Sequence, residues 1–318
     1  MQRVVPVSCA MAAACVSAAY AASPEYQNFI STAAPILWYS FNEASGDALN
    51  HGSLGAPFDG ACSANVMRGV STAGGDDASG FLNATAYVTS GGVSPLTGNP
   101  TFSIEALIRL KQPPVGNQWG PFLHWGSGLT GREVYFSIAS NLNDRVYAGF
   151  YNAGLRTQAS VPVNEWIHVV WVRTGGSGSN TGTTLYINGS AVAMEVDPQL
   201  NPGILTAGQI NVAATHFSVN RAADFLGSRY FSGDIDELAL YDRALDLSEI
   251  TDHADAALLP PCPGDANGDR TVNFTDLNIL LEAWNTSIPP GSGPDFDGNG
   301  TVNFTDLNIL LDHWGDAC

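Results

Sequence analysis

The chain has 318 residues, of which 45% are hydrophobic, and 12 basic residues stand against 30 acidic ones for a formal charge of −18. That length holds one large β domain or two smaller domains, with enough apolar residues for a packed core. The charge excludes a nucleic-acid partner, since phosphate binding needs clustered Lys and Arg; it suits an extracellular chain or one that binds cations.

At the N-terminus, Arg3 is the only charged side chain before Glu25. An Ala/Val-rich stretch runs from Val4 to Ala18, and Ala19-Tyr20-Ala21 has the small-x-small form of a cleavage site. This predicts a secretory signal peptide over residues 1–22 and a secreted protein, extracellular or at the cell surface. No other apolar run reaches the length of about 20 that a spanning helix needs, so no transmembrane span is expected after signal removal. Removal takes Cys9 and Cys15 and leaves Cys62, Cys262 and Cys318. Cys262 and Cys318 bracket the C-terminal segment and are expected to form a disulfide, with two free thiols as the alternative. Closing a loop of that size is worth about 4 kcal/mol in the chain-entropy model. Cys62 is left odd and is expected to be buried in the first domain.

Residues 23–34 read as a loose lead-in. From Ile36 to Tyr241 the pattern is β. "TFSIEALIRL" puts Phe102, Ile104, Ala106, Ile108 and Leu110 on one face, and "WIHVVWVRT" is apolar on both faces. Asn188-Gly189 sits between two apolar runs, a hairpin signal. A second hairpin is expected across Asn141 to Asp144. No long amphipathic helix interrupts the run, so a mainly β chain with a sandwich of about 200 residues follows. Asp246 and Glu249 stand at capping-box spacing for a short helix. Residues 256–261, within "ALLPPCPG", read as a linker.

Five pieces, "ILWYSFNEASG", "FSIEALIRL", "WIHVVWVRT", "LYINGSAV" and "FSGDIDELALYDRALDLSEI", occur in the order and spacing of laminin-G-like, concanavalin A-like jelly-roll domains. The resemblance covers residues 35–255 and implies a jelly-roll β-sandwich. It implies little about function, because that fold hosts lectins, adhesion modules, enzymes and spacers. It also implies that Asp236, on the closing strand, helps hold one structural Ca²⁺ with Asn42 or Glu43. A strand cap or a pairing with Arg is the alternative for Asp236.

The C-terminus repeats itself. "GDANGDRTVNFTDLNILLEAW" is followed thirty residues on by "PDFDGNGTVNFTDLNILLDHW". With Asp265 as position 1 of a twelve-residue loop, Asn267, Asp269, Thr271, Asn273 and Asp276 fall at positions 3, 5, 7, 9 and 12. The second copy places Asp295, Asp297, Asn299, Thr301, Asn303 and Asp306 in the same positions. These are oxygen donors at EF-hand spacing, with three carboxylates per loop for a hard cation that takes six to eight oxygens. After each loop, Leu277, Leu280, Leu281 and Trp284, or Leu307, Leu310, Leu311 and Trp314, follow i, i+3, i+4, i+7 spacing. Each helix has one apolar stripe, and two copies bury their stripes against each other. Asx-rich turns without metal are the alternative.

Residues 262–318 resemble a type I dockerin-like domain, whose paired calcium loops end in Asp and lack the preceding helix of a full EF-hand. The resemblance implies two bound Ca²⁺, a place in polysaccharide binding or breakdown, and a cohesin-like or other protein partner. Two positions depart from the family pattern. The Gly at loop position 6 is present as Gly300 but replaced by Arg270; a positive φ there costs a non-Gly residue about 1–2 kcal/mol, so weaker calcium binding is expected at the first loop. Positions 10 and 11, often a partner-contacting Ser/Thr pair, are Phe274-Thr275 and Phe304-Thr305. The two Phe side chains are expected in the core of the module.

A retaining glycosidase site on a jelly roll needs two carboxylates about 5–5.5 Å apart. The nearest match to the Glu-x-Asp-x-x-Glu pattern of such enzymes is Glu195-Val196-Asp197, with Leu200 where the last Glu belongs and Pro198 breaking the strand. Both acids therefore read as loop surface, and no catalytic residue is assigned. His168 lies in an apolar strand and reads as a core histidine. "GGSGSNTG" lacks the Lys of a phosphate loop and reads as a hairpin tip. Trp38, Trp119, Trp125 and Tyr151 are candidates for stacking on sugars, with core packing as the alternative for each. The sequence therefore points to a secreted calcium-binding protein with a glycan- or surface-recognising jelly roll and a docking module. A polysaccharide hydrolase and a structural surface protein are the alternatives; the net acidity favours neutral polysaccharides.

Overall fold

The alternating run at Phe102 becomes the centre of a β-sandwich. The computed structural model describes residues 24–317 apart from 72–76, 82–84, 113–118, 140–143, 222–229, 259–261, 268 and 289–292. The expected signal peptide, residues 1–22, lies outside the described residues.

The chain enters through helix α1 (Pro24–Thr32). The early strands are β1 (Leu37–Tyr39), β2 (Gly60–Cys62), β3 (Met67–Ser71), β4 (Asp77–Phe81) and β5 (Val88–Val93). The long central ones are β6 (Phe102–Leu110), β7 (Trp119–Gly126), β8 (Glu133–Ala139), β9 (Arg145–Phe150), β10 (Ala153–Thr157) and β11 (Trp166–Arg173). The last are β12 (Thr183–Ile187), β13 (Ser190–Ala191), β14 (Met194–Val196), β15 (His216–Val219) and β16 (Gly233–Tyr241), followed by helix α2 (Leu247–Leu258). Strands hold 37% of the residues against 17% in helices, so the chain is mainly β.

The strands form two antiparallel sheets. The first runs β13-β12-β11-β6-β16-β4-β3, with β1 also paired to β16. The second runs β14-β10-β9-β8-β7-β15-β5-β2. The inner faces meet in one apolar core that contains all five alternate residues of β6 from Phe102 to Leu110. Aromatic rings pack edge-to-face in this core: Phe102 lies 5.3 Å from Trp125 of the other sheet and 4.9 Å from Trp171 of its own, and Phe122 lies 5.3 Å from Phe136 within the second sheet. The Asn188-Gly189 hairpin forms as expected, with φ of 50° and 75° at its two turn residues. The second expected hairpin joins β8 to β9, paired from Val134↔Phe150 to Ala139↔Arg145. Asp246 and Glu249 form the expected capping box, each carboxylate accepting from the other's backbone N–H.

Two boundaries differ from the sequence reading. The lead-in is not loose: α1 buries Tyr26 and Ile30 completely against α2 and the outer face of the first sheet. The first three residues of the expected linker, Ala256 to Leu258, are the last turn of α2, with Ala256 and Ala257 in that same apolar layer. Ala-rich sequence next to Pro reads as linker, but apolar partners from α1 make it helix.

Beneath these helices lies a buried polar cluster. Glu105 accepts from Tyr241 Oη at 2.5 Å and sits 2.9 Å from His253 Nδ1 and 3.3 Å from His168 Nε2. Burial pushes the Glu105 carboxyl up, but the charge and hydrogen bonds of His253 and His168 outweigh it and hold it far below the ordinary carboxylate range. Burial pulls the His253 imidazole down; Glu105, aided by Glu249 and Asp252, outweighs that and leaves it raised above 6.5. A raised histidine stabilises the fold below its unfolded pKa of about 6.5, and that stabilisation is lost as pH rises through the folded value. The melting temperature is therefore expected to fall as pH rises above neutrality, and the slope should flatten in His253→Gln. A wild-type slope retained in the variant would remove this cluster as its cause.

Candidate calcium centres

The two C-terminal copies fold alike. Helices α3 (Phe274–Glu282) and α4 (Phe304–Asp312) begin inside the loops. Asn273 and Asn303 are their N-caps, accepting from the N–H of Thr275 and Thr305 at 2.7 and 2.8 Å. Asp276 and Asp306 reach back to the N–H of Asn273 and Asn303, at 2.8 Å in both. Loop positions 9 and 12 are thus also the two halves of a capping box.

Position 1 closes the turn. Asp265 Oδ2 accepts from Arg270 N–H at 2.7 Å, and Asp295 Oδ2 from Gly300 N–H at 2.8 Å. Both position-6 residues take positive φ, 60° at Arg270 and 80° at Gly300. Asp276 and Asp306 are wholly buried. Backbone N–H groups compensate their charge: Asp276 also accepts from Ala266 and Asn267 at 2.9 and 3.2 Å, and Asp306 from Asp297 at 3.1 Å.

Positions 3 and 5 exchange residue types between the copies. Asn267 donates to Asp269 at 2.9 Å in the first loop, and Asn299 donates to Asp297 at 2.6 Å in the second. The Thr271 and Thr301 carbonyls accept from Asn273 and Asn303 side chains at 3.0 and 2.9 Å. In the second loop, carboxylate oxygens of Asp295, Asp297 and Asp306 all lie within 4.8 Å of one another. Three like charges that close repel, and a hard divalent cation relieves them. The donor set is all oxygen, which fits Ca²⁺.

Packing corrects two expectations. Only Leu280 and Leu310 of the helix stripes are fully buried, against Val272 and Val302, while Leu281 and Leu311 are exposed. Phe274 and Phe304 are not core residues but are 70% and 69% exposed. Each packs edge-on against a tryptophan of the other half, Phe274 on Trp314 at 4.9 Å and Phe304 on Trp284 at 5.1 Å. Cys262 is buried, and its expected partner Cys318 lies outside the described residues. Cys62 is a free thiol and only half-buried.

In the sandwich, Asp236 is fully buried at a bulge in β16, and its Oδ1 accepts from Glu237 N–H at 3.0 Å. The Asn42 Oδ1 is buried with no hydrogen-bond partner. Glu43 is engaged elsewhere, accepting from Leu49 N–H at 2.6 Å and pairing with Arg68 at 3.3 Å. Glu195 is not loop surface but part of β14, held by Arg145 and Arg156 at 2.7 and 2.6 Å. Asp197 is fully buried. Among the stacking candidates, Trp125 is core and the Trp38 indole donates to Glu237 at 2.5 Å. Tyr151 is half-buried, and the Trp119 side chain lies outside the described ones. His168 is a core residue, as expected. Sequence reasoning passed over its partner Glu105 and the buried pair His124–Glu133. Their signal was present: each is a charged or imidazole residue at an alternate position of an apolar strand.

Residues 82–251, more than half of the chain, match the family model of the concanavalin A-like lectin/glucanases superfamily. The chain belongs to that superfamily. Residues 263–313 match the dockerin type I domain, a class of module that binds calcium, and the Asp295–Asp297–Asp306 cluster is compatible with this. No curated protein matches the chain. Among solved structures, the concanavalin A-like region is similar to domain 4 of AbnA, an extracellular family GH43 arabinanase from Geobacillus stearothermophilus, in complex with arabinotriose. The identity is 17%, covering 69% of this chain and 98% of that one, with a TM-score of 0.48. It is also similar to Trypanosoma rangeli sialidase in complex with sialic acid, at 17% identity over 71% of this chain and 33% of the sialidase, with a TM-score of 0.50. The ligand-binding domain of botulinum neurotoxin serotype D, in complex with N-acetylneuraminic acid, is 11% identical over 73% of this chain and 53% of that one, TM-score 0.50. The chain thus spans about a third of the sialidase it matches, and at these identities the likeness is one of fold. Among the described residues, no helix is long and apolar enough to cross a membrane.

The dockerin loops differ in backbone strain. Arg270 holds a left-handed φ that Gly300 adopts freely. Arg270→Gly is expected to raise the stability of the module by about 1 kcal/mol in chelator, and Gly300→Ala to lower it by about as much. Chemical denaturation followed at the helical signal checks both; equal stability of all three proteins would mean that the turn carries no strain.

Proposed function

We propose that this is a secreted, non-catalytic protein in which a concanavalin A-like domain recognises a glycan and a calcium-loaded dockerin domain fastens it to a protein scaffold. The observation that carries the reading is the second dockerin loop, where three carboxylates converge with neutral oxygens at the spacing a calcium ion takes. The ligands in the first loop are Asp265, Asn267, Asp269, Thr271, Asn273 and Asp276; those in the second are Asp295, Asp297, Asn299, Thr301, Asn303 and Asp306. Two ions bind per chain, the first more weakly because of Arg270. A third, structural Ca²⁺ sits at Asp236 with Asn42, whose buried Oδ1 has no protein partner. Glu43 drops out of that set because Arg68 and the Leu49 N–H already occupy it.

The module spans residues 262–318 and is closed by a Cys262–Cys318 disulfide, and residues 1–22 are the export signal. Its exposed aromatic pairs, Phe274–Trp314 and Phe304–Trp284, face a cohesin-like protein partner. The acids Glu195 and Asp197 do not support a hydrolase: Glu195 is neutralised by two arginines.

Two measurements test this. Calorimetric titration of the mature protein is expected to give two dockerin sites of unequal affinity. Asp306→Ala should abolish the tighter one, and Arg270→Gly should tighten the weaker; two equal sites insensitive to Arg270→Gly would refute the assignment. The mature protein is also expected to be depleted by a neutral insoluble polysaccharide, without release of reducing sugar. Sugar release would replace the binding reading with a hydrolase.

A further inference from the structure

Helices α1 and α2 lie antiparallel on the outer face of the first sheet. Arg243, just before α2, donates to the Ala33 carbonyl at the close of α1 at 3.0 Å and pairs with Glu249 in the first turn of α2 at 2.6 Å. Further along, Tyr26 and Phe29 meet His253 with ring centroids 6.2 and 5.8 Å apart. The first turn of α1, with Glu25, therefore lies at the same end as the last turn of α2, with Asp255. The chain leaves for the dockerin from this end. Only Leu259, Pro260 and Pro261 separate α2 from Cys262, whose carbonyl accepts from the Asp265 N–H at 3.1 Å. So short a tether keeps the first calcium loop close to the helix ends.

The loop and the helices meet through charge. The charged groups that act on Glu25 are Asp265 and Arg270 of the first loop and Asp255 of α2. Glu25, Asp265 and Arg270 are each half-buried, so water screens them only in part. Three acids thus gather around one cation. Arg270 is also the only Arg or Lys from Cys262 to Cys318, where it stands against nine acids.

Nothing inside the dockerin accounts for a cation at this position. The backbone there holds a φ of 60°, which Gly300 meets in the second loop without strain and Arg270 does not. A fixed positive charge beside the first loop also opposes a bound cation. The sandwich does account for it. Helix α2 has no basic residue in its last turn, where the carbonyl ends carry partial negative charge, and Asp255 and the neighbouring Glu25 add two more negative groups. A guanidinium delivered by the loop answers all three.

We propose that Arg270 anchors the first dockerin loop to the paired ends of α1 and α2, so that the module is a fixed extension of the sandwich rather than a bead on a linker. The first-loop end of the dockerin is then turned toward its own chain, and a protein partner reaches the module from elsewhere on its surface. The test is small-angle X-ray scattering of the mature full-length protein in saturating calcium. Wild type is compared with Arg270→Glu, Arg270→Ala and the swap that combines Arg270→Glu with Glu25→Arg. The radius of gyration is expected to rise in Arg270→Ala, to rise further in Arg270→Glu, and to return toward the wild-type value in the swap, which restores the pair with its signs reversed. Position 270 stays non-glycine in every variant, so turn strain is constant and the recovery reports the charge pair alone. Should Arg270→Glu fail to fold, Arg270→Ala, which adds no charge, decides alone. An unchanged radius in the folded single variants would overturn the anchor and leave the short tether to place the module. A swap that stays as expanded as Arg270→Glu would overturn the pairing with Glu25.

Discussion

The sandwich depends on how strand β16 accommodates acids that no water reaches. Every residue of β16 is buried, Asp234, Asp236 and Glu237 included. Each acid is answered differently. Asp234 is gripped by Arg109 and Lys111 at 2.6 and 2.7 Å, Glu237 accepts from Gln27 and Trp38 side chains, and Asp236 accepts from the backbone beside it. Removing one partner of such a pair strands a buried charge at a cost of about 3–5 kcal/mol. Glu237 adopts φ 49° where the β16 register against β6 slips. The slip falls where β16 changes partners, from β4 over Gly233–Ile235 to β1 over Leu238–Leu240. The α1 residue Gln27 thereby fastens the chain entry to the middle of the sheet.

What was legible in the sequence was what depends on near neighbours along the chain. Period-two alternation placed five residues of β6 in the core, Asn188-Gly189 marked its turn, and Asp246 with Glu249 marked the start of α2. The positive φ expected at loop position 6 is present even where Arg270 occupies it. What was not legible depends on what lies across the fold. Alternation shows that Glu105 leaves the core face of β6 but not that His253, almost 150 residues away, waits to meet it. Composition made residues 23–34 look loose because the apolar partners of Tyr26 lie on distant elements. Phe274 and Phe304 looked like core because they are large and apolar, and only the packing of the two halves leaves them outside.

The C-terminal module is economical with its polar side chains. Asn273 and Asp276 both cap a helix and shape the loop that precedes it, as do Asn303 and Asp306. Swapping Asn and Asp between positions 3 and 5 keeps three carboxylates in each loop while moving one of them, and among the described residues only the second loop brings its three together. The duplication is thus symmetric in backbone and asymmetric in electrostatics.

The sheets also end quietly. Their terminal strands are short: two residues in β13, three in β14 and in β2, five in β3. A long bare strand edge templates pairing with another chain and seeds aggregation, and edges this brief offer few free backbone groups for it. Whatever assembles with this protein must therefore read its side chains, because the backbone presents little to be extended.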